Sequence, residues 1–419
     1  MYLQGSKWSM TRRKKRSNPW RVLVLIFLVA GAIYLNQVVV PNTPPLFMPT
    51  PTPTRSPESY VTEAQSLEGE GKYSQAIESY KQAIDADPKN PSNFIALARL
   101  QVYTGNYADA EKNARNALLL NPNNSMANAV LGWVLGMQGN YLDAESSFKR
   151  AIEQDPNSAI VYAYQAEVYA LQSESDQATL NTLQYAIDAS RKAQQLDNSI
   201  MESHRARGIV LELTQNYSEA VTEFEAAIAI NPNIADLHLA LGRNYRALEI
   251  YDKAIEEFTR ANALNPADPL PDTYIARTYL TVGEFAKAIQ FAQSAVVDAP
   301  QDPYMYGNLG TMYYRNLQYA EAVINLRLAI KGGTTGDGLE VSGLPLDVGR
   351  VGEYYQTYGL ALARTGECGE ALQISQAVQQ VLSSDETAMY NANEVINICS
   401  EVAEMTPTIE SSEEVTPTP

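Results

Sequence analysis

The chain has 419 residues, of which 48 are acidic and 31 basic, so its formal net charge is −17. Residues 1–21 contain seven of the basic residues and no acidic one, which leaves the rest of the chain with a net charge of −24. Phosphates repel a body with this negative charge, so its overall electrostatic field excludes binding of nucleic acids. Anionic lipid headgroups repel it as well.

The basic tail, residues 1–21, directly precedes an apolar run, Val22–Val40, that is interrupted only by Gly31, Asn36 and Gln37. A helix of this length spans about 28 Å, close to the roughly 30 Å of a hydrocarbon core. Positive charge on the N-terminal side predicts that this end stays in the cytoplasm. We therefore expect a single-pass anchor at 22–40 in the cytoplasmic membrane, with the following residues outside the cytoplasm.

A cleaved signal peptide is the alternative, because Ala30-Gly31-Ala32 has the small-x-small form that a signal peptidase accepts. The apolar run continues beyond this point through Ile33–Leu35 and Val38–Val40, which favours an uncleaved anchor. Both interpretations export the remainder of the chain.

Segments rich in Pro and Thr follow the apolar run and end the chain. Residues 41–57 contain seven prolines, which predicts an extended, semi-rigid linker reaching ~50 Å at about 3.1 Å per residue. Residues 403–419 form an acidic tail with few apolar side chains, and we expect this tail to be disordered.

An alanine recurs at a fixed distance between residues 58 and 402. Successive intervals are 34, 34, 42, 34, 34, 34, 34 and 49 residues. A period near 34 predicts a helical solenoid, a class of fold that usually works by holding other molecules. The nine copies are Ala76, Ala110, Ala144, Ala186, Ala220, Ala254, Ala288, Ala322 and Ala371.

Each period repeats one pattern of turn and helix residues. An alanine, an aromatic residue four positions later and an alanine three further on lie on one face of a helix, where small side chains let a neighbour approach. Gly-Asn suits the turn before this helix, and Asn/Asp-Pro ends it. One period is therefore two helices joined by a tight turn. In the third copy the residues are Gly139, Asn140, Tyr141, Ala144, Phe148, Ala151 and Pro156.

This pattern resembles the tetratricopeptide repeat family. The family's Leu-Gly pair in the first helix is matched at Leu131-Gly132, Leu241-Gly242 and Leu309-Gly310. The resemblance covers roughly residues 58–383 in nine copies. It implies an all-α, right-handed superhelical solenoid of helix pairs, which we expect to end in a capping helix.

Two insertions interrupt the period. One enlarges repeat 4 near residues 172–181, and in this repeat Asn198 replaces the expected proline. The other, 332–350, surrounds the alternating Leu339-Glu340-Val341 with glycines and is predicted to be a short β-hairpin or an ordered loop. Insertions in repeat proteins often lie on a binding face; a plain surface loop is the alternative.

The two cysteines of the chain are Cys368, in the turn of repeat 9, and Cys399, in a final helix predicted at about 385–402. Asp385 is a suitable N-cap for that helix. The two helices leading away from and back to the turn have similar lengths, so both sulfurs reach the same end. In an exported protein this arrangement favours a disulfide that holds the cap; two free thiols are the alternative.

The first helices of this family line a concave groove that takes peptides or partner helices. By this resemblance, Arg243, Arg246 and Arg277 are placed to grip carboxylates through bidentate hydrogen bonds. The alternative is that they pair with Glu212, Asp236 and other carboxylates of the groove. All candidate binding positions in the groove are Arg99, Trp133, Arg205, Arg243, Arg246, Arg277, Tyr304, Tyr314 and Arg315.

The sequence contains no catalytic constellation. It has no glycine loop for phosphate, no Gly-x-Ser-x-Gly elbow and no metal-spaced cluster of His and Cys. His204 and His238 lie at equivalent positions of their repeats, which indicates packing. The family's carboxylate clamp for chaperone termini is not reproduced. We therefore expect no enzymatic activity, no cofactor and no bound metal.

These features together predict a non-catalytic, extracytoplasmic scaffold that is anchored in the membrane. The expected partner is a protein or peptide in the groove, and not a nucleic acid. The alternative is an accessory or regulatory subunit of an envelope enzyme that makes or secretes polysaccharide.

Overall fold

The computed structural model describes residues 18–39 and 55–405 of the chain. The predicted basic tail, the Pro/Thr linker and the acidic tail lie mostly outside these ranges. The chain divides into two units, with the boundary between Ser56 and Pro57.

The first unit contains helix α1, Pro19–Tyr34, which continues as a π-helical segment, Leu35–Val39. Asn18 caps α1 by accepting a hydrogen bond of 3.2 Å from the backbone N–H of Trp20. No side chain of α1 is buried within the described part of the chain. The stretch Pro19–Val38 is long and apolar enough to cross a membrane, and a signal sequence shares these properties.

The second unit consists of helix pairs, nine of them between residues 57 and 405, followed by a final helix, α20, Glu386–Met405. This arrangement confirms the predicted all-α solenoid with a terminal capping helix. The first helices are α2 (Pro57–Gly69), α4 (Pro91–Tyr103), α6 (Ser125–Met137), α8 (Ala159–Ser173), α10 (Met201–Leu213), α12 (Ala235–Ala247), α14 (Pro269–Thr281), α16 (Pro303–Arg315) and α18 (Arg350–Arg364). The second helices are α3 (Tyr73–Ala86), α5 (Tyr107–Leu120), α7 (Tyr141–Gln154), α9 (Thr182–Leu196), α11 (Tyr217–Ile230), α13 (Tyr251–Leu264), α15 (Phe285–Asp298), α17 (Tyr319–Lys331) and α19 (Cys368–Val381).

The tight turn inside a pair depends on one residue with a left-handed backbone. In repeat 3 this residue is Gly139, with φ of 79°, and the N–H of Asn140 then reaches the carbonyl of Leu135 at 2.8 Å. Such a turn satisfies carbonyls at the end of the first helix and fixes the direction of the second. The same conformation occurs without glycine in three repeats, at Gln215, Glu249 and Leu317.

The pattern of small and aromatic residues that recurs from repeat to repeat forms the interface between the two helices of a pair. A methyl group on Gly242 would lie 2.5 Å from the ring of Phe258, and one on Gly208 would lie 2.9 Å from Phe224. Both rings are fully buried, as is the spacing alanine Ala220. The stripe of alanine and phenylalanine is therefore core packing, as predicted, and glycine is needed where the ring contacts the first helix.

The two histidines lie in the interior of the solenoid wall. Nδ1 of His238 is 2.6 Å from a carboxylate oxygen of Glu257, and its Nε2 is 2.9 Å from the carbonyl oxygen of Pro232. His204 makes the equivalent contact with Glu223 at 2.6 Å. His238 thus links α12 to α13 and to the preceding turn, and His204 links α10 to α11. This is the packing role predicted for both.

The predicted hairpin insertion forms two short antiparallel strands, β1 (Gly333–Thr334) and β2 (Glu340–Val341). Leu344 follows them, is buried, and donates its backbone N–H to the carbonyl of Ala329 at 2.9 Å. The insertion therefore packs on the last repeats as an ordered element. The insertion of repeat 4 forms turns between α8 and α9 and exposes Leu180 almost completely.

Helix α20 packs against α18 and α19 and closes the solenoid. Asp385 caps it by accepting a hydrogen bond of 3.0 Å from the N–H of Ala388, the role expected from the sequence. A disulfide joins Cys368, the first residue of α19, to Cys399 in α20, with 5.5 Å between the Cα atoms. The bond holds together the helices that no further repeat covers.

Reduction of the disulfide is expected to loosen α20 selectively. The bond spans 31 residues of sequence, and loop entropy then gives about 3 to 4 kcal/mol of stabilisation for the cap. Hydrogen exchange followed by mass spectrometry should accelerate in residues 386–405 when dithiothreitol is added. Exchange in α6 serves as the control, because solenoid stability is set by nearest neighbours. Equal exchange of α20 in both states would contradict a stabilising bond.

Asp272 lies at the position of α14 that the histidines occupy in their repeats, and it is 4% exposed. Its Oδ1 accepts a hydrogen bond of 2.8 Å from the side chain of Asn262. Burial raises the pKa of this carboxyl to about 6, with a smaller contribution from Asp298. The folded protein therefore keeps a proton that the unfolded chain releases above its ordinary pKa of 3.8. Stability is consequently lost as the pH rises from about 4 to about 6.

Asp272→Asn should remove this loss. The variant is expected to match the wild type near pH 4 and to exceed its free energy of unfolding by up to about 2 to 3 kcal/mol at pH 8. Urea unfolding across this pH range measures the difference. Asp85→Asn, at an exposed position of α3, is the control and should follow the wild-type curve. A constant offset for Asp272→Asn at every pH would show that burial does not shift the carboxyl.

Candidate functional site

The first helices form the inner surface of the solenoid. Consecutive first helices pack against one another from α4 to α18, whereas no comparable packing joins consecutive second helices between residues 57 and 405. The first helices therefore lie on the inside of the curve. This surface corresponds to the concave groove on which the candidate binding residues were expected.

We call repeats 1 to 5 the first turn of the solenoid. Trp133 lies on α6 in the interior of this turn and is fully buried. Its ring stacks on Tyr164, with 4.2 Å between centroids and 3° between planes, and meets Tyr103 edge-on at 5.2 Å. Its indole N–H donates to Glu167 at 3.0 Å. Internal stacking thus takes up the whole ring of Trp133, which the sequence analysis had placed among the candidate binding residues.

Arg205 of α10 is held beside this stack. Its guanidinium lies 5.2 Å from the ring centre of Tyr103 and 5.6 Å from that of Trp133, within the range of cation–π attraction. Two carboxylates neutralise it, Glu167 at 3.6 Å and Asp236 at 3.9 Å. Only 11% of its side chain is exposed, so Arg205 is an internal ion-pair partner.

Arg99 connects distant parts of the chain. Its Nη2 donates to Glu202 at 3.2 Å across 103 residues of sequence and lies 4.0 Å from Glu68. A second contact joins the same parts, since the side chain of Asn233 donates to the carbonyl of Gly69 at 2.6 Å. We call these two contacts the clasp. Through the clasp, repeats 1 and 2 touch repeats 5 and 6.

The interior of the first turn is filled by the protein's own side chains. The hydroxyls of Tyr103 and Tyr164 are buried there, together with the carboxylate of Glu167. Burial raises the pKa of Glu167 and the pKa of both tyrosines. In this part of the inner surface, these side chains are therefore packed against one another.

A concave pocket of about 630 Å³ lies beside this interior, between the first helices of repeats 3 to 6. Its apolar wall includes Leu171, Ile209 and Leu213. Arg243 lines it as well, and its Nε and Nη2 donate to the two carboxylate oxygens of Glu212 at 2.7 and 2.9 Å. The structure thus shows the alternative for Arg243, because its guanidinium is paired with a carboxylate of the groove.

The remaining candidate residues lie on the inner surface of repeats 6 to 8. Nε of Arg246 is buried without a hydrogen-bond acceptor, and the half-buried Arg277 has no side-chain hydrogen bond or ion pair within the described residues. Tyr304 is 42% exposed. Tyr314 is half-buried, with its ring 5.5 Å from that of Tyr319, and Arg315 is exposed.

Sequence reasoning named Glu212, the partner of Arg243, but missed Glu202 as the partner of Arg99 and Glu167 as that of Arg205. Glu167 and Glu202 lie one and three repeats away from the side chains that they contact. No periodic signal marks such pairs, since they depend on how tightly the solenoid curves. Within residues 18–39 and 55–405, no cluster of His, Cys, Asp and Glu has the arrangement of a metal site.

Family models described as tetratricopeptide repeat match residues 57–90, 95–159, 130–193 and 205–269. These segments fall in repeats 1 to 6, and the structure continues the same helix pairs through repeat 9. A search of curated proteins finds no match.

Solved structures of several repeat proteins are similar to the chain. Pseudomonas aeruginosa PilF, solved in a functional characterisation, is 21% identical over 49% of this chain and 90% of its own, with a TM-score of 0.42. A tetratricopeptide repeat protein from Parabacteroides merdae is 15% identical over 61% and 98%, with a TM-score of 0.40. Yeast Tom70 is 14% identical over 84% and 92%, with a TM-score of 0.44. These values are too low to carry an activity or a partner over to this chain.

Arg99→Gln should destabilise the solenoid by about 3 kcal/mol, because it leaves the buried carboxylate of Glu202 without its partner. Arg115→Gln is the matched control, since its pair with Glu111 lies on the exposed surface and contributes less than about 1 kcal/mol. Urea unfolding measures both.

Adding Glu202→Gln to Arg99→Gln should recover most of the lost stability, because no buried charge then lacks a partner. A cost for Arg99→Gln no larger than that for Arg115→Gln would show that the clasp does not stabilise the fold.

Proposed function

Because the chain is a tetratricopeptide repeat protein, we propose that it is a membrane-anchored, extracytoplasmic scaffold that binds a protein or peptide partner. Repeats of this family serve protein–protein interaction and are typically non-catalytic. The partner is expected on the inner surface of repeats 6 to 9, which we call the open half.

The difference between the two halves of the inner surface carries this assignment. In the first turn, Trp133 and Tyr164 are fully buried and Arg205 is paired. In the open half, Tyr304 and Arg315 are exposed. Aromatic and arginine side chains are the residues that contribute most to protein interfaces. A partner therefore finds exposed aromatic and arginine side chains in the open half.

The pocket beside the first turn, which is lined by apolar and by charged side chains, extends this surface. Its volume of about 630 Å³ is in the range of cavities that hold a small ligand or several side chains. Leu171, Ile209 and Leu213 offer it to an apolar side chain. A partner segment in the open half is thus able to place one apolar anchor in this pocket.

The proposed location rests on helix α1 and the residues around it. An apolar stretch of 20 residues, Pro19–Val38, follows a tail, residues 1–18, with six basic and no acidic residues. This charge distribution favours a cytoplasmic N-terminus and an anchor that keeps the repeats outside.

Cysteine labelling tests location and groove occupancy together. The native cysteines are joined in a disulfide, so a membrane-impermeant maleimide reacts only with an introduced thiol. Tyr304→Cys, on the inner surface, and Leu142→Cys, 82% exposed on the second helix α7, form a matched pair. Both are expected to react in spheroplasts. Tyr304→Cys should react about tenfold more slowly there than in purified protein, because the partner covers it, while Leu142→Cys should react equally in both.

Labelling of neither thiol until the cells are lysed would overturn the extracytoplasmic location. Equal rates for Tyr304→Cys in spheroplasts and in purified protein would overturn occupancy of the open half. A cross-linker attached at Tyr304→Cys then identifies the partner. Capture of a polysaccharide-synthesis or secretion enzyme would favour the accessory-subunit alternative.

A further inference from the structure

The pocket beside the first turn holds more negative than positive charge. Three carboxylates and two guanidinium groups line it, those of Glu167, Glu174, Glu212, Arg205 and Arg243. Arg243 is paired with both oxygens of Glu212, at 2.7 and 2.9 Å. Arg205 lies between two carboxylates, Glu167 at 3.6 Å and Asp236 at 3.9 Å. The guanidinium charges are therefore already neutralised, and the pocket keeps an excess of negative charge.

Two carboxylates of the pocket have hydrogen-bonding capacity left over. Glu174 is exposed and has no ion pair or side-chain hydrogen bond within residues 18–39 and 55–405. The side chain of Glu167 is 5% exposed, and its Oε1 accepts no hydrogen bond, while Oε2 accepts one from the indole N–H of Trp133. A buried acceptor without a donor is destabilising. Positive charge in the pocket is therefore favourable for both carboxylates.

The sequence around repeat 4 adds to this negative charge. Residues 151–190 contain six acidic residues and no basic one. The insertion after α8 supplies two of the six, Glu174 and Asp176. The chain beyond residue 21 carries a net charge of −24, which attracts basic segments from solution and repels acidic ones. Attraction is strongest where no cation of the protein compensates the carboxylates, as in repeat 4.

The wall of the pocket suits an alkyl chain. Leu171 of α8 and Ile209 and Leu213 of α10 lie on it. Lys and Arg side chains bury their methylene stems on apolar surface and keep the cation among polar groups. A purely apolar side chain would fill the same wall and leave Glu174 unpaired, and a carboxylate would be repelled. The combination of lining groups therefore favours a long basic side chain.

We propose that the pocket binds a Lys or Arg side chain from a basic segment of the protein partner, with its stem against Leu171 and Leu213 and its cation beside Glu174. This site rests on the proposed function, because it specifies which anchor of the same partner enters the pocket. Hydrogen bonds between charged groups then fix the position of the cation. The insertion of repeat 4 gains a role in binding, since it carries Glu174 directly after α8.

The test uses the full chain in micelles of a non-ionic detergent and fluorescein-labelled hexalysine, with binding measured by fluorescence anisotropy. The salt concentration is about 0.15 M, which limits long-range attraction to ~8 Å. Glu174→Gln should weaken binding about threefold to fivefold, because the cation loses a charged acceptor. The Tm of this variant should equal that of the wild type, since Glu174 is exposed and has no ion pair to lose.

Asp176→Asn is the matched control. It removes the same charge two residues away, from an exposed side chain outside the pocket lining. The general attraction of hexalysine to the acidic body falls equally in both variants, so Asp176→Asn should keep the wild-type affinity within about twofold. Equal affinities of the two variants would overturn the site, as would a wild type that does not bind hexalysine.

A second measurement examines the alkyl stem. In the wild type, n-hexylamine should displace hexalysine, whereas ammonium chloride at the same concentration should not, because only the amine has a stem for the apolar wall. Equal displacement by both would reduce the site to surface charge and overturn the pocket assignment. Displacement by hexanoate as strong as that by n-hexylamine would show that the pocket selects the alkyl chain alone, and would overturn the role of the carboxylates.

These outcomes are independent of the thiol labelling, which tests the scaffold itself. Slow labelling of Tyr304→Cys in spheroplasts, together with equal affinities of Glu174→Gln and Asp176→Asn, would retain the scaffold and reject the basic anchor. Equal labelling rates, together with selective weakening by Glu174→Gln, would retain a pocket for basic side chains and reject occupancy of the open half.

Discussion

The close contact between the two helices of a pair determines most of this structure. A left-handed residue such as Gly139 turns the chain, and a ring such as Phe258 lies against a glycine of the first helix. Both constraints recur, so successive pairs are related by similar rotations. Curvature then accumulates along the chain. It is this accumulated curvature, and no local motif, that places Arg99 of repeat 2 against Glu202 of repeat 5.

One geometry with different side chains produces two kinds of surface. Where Arg99 meets Glu202 beside the ring of Trp133, the solenoid closes on itself through charge pairs and aromatic stacking. In repeats 6 to 9, by contrast, Tyr304 and Arg315 on the inner surface stay exposed. Repeat proteins gain their binding surfaces from small differences between equivalent positions. Here the differences between side chains leave one half filled and the other open.

The sequence predicts what is periodic and misses what is long-range. The alanine period predicts the helix pairs, and Asp385 predicts the start of the cap, because each depends on neighbours within a few residues. Mapping by resemblance placed Trp133 on a first helix but could not show that Tyr164 covers its ring. It likewise could not tell the paired Arg243 from the unpaired Arg246, one helical turn away. That distinction depends on contacts between repeats, which the period does not encode.

The two halves also differ in what binding costs. In the first turn, a partner would have to displace the clasp and the ion pair of Arg205 with Glu167. Buried charges would then lose their partners, which is destabilising. In the open half, the exposed side chains of Tyr304 and Arg315 are available to a partner without loss of the clasp. Binding free energy is the difference between the interactions gained and those lost, so a partner gains more from the open half. Selection of the site therefore follows from what each half already satisfies internally, more than from how many contacts each half offers.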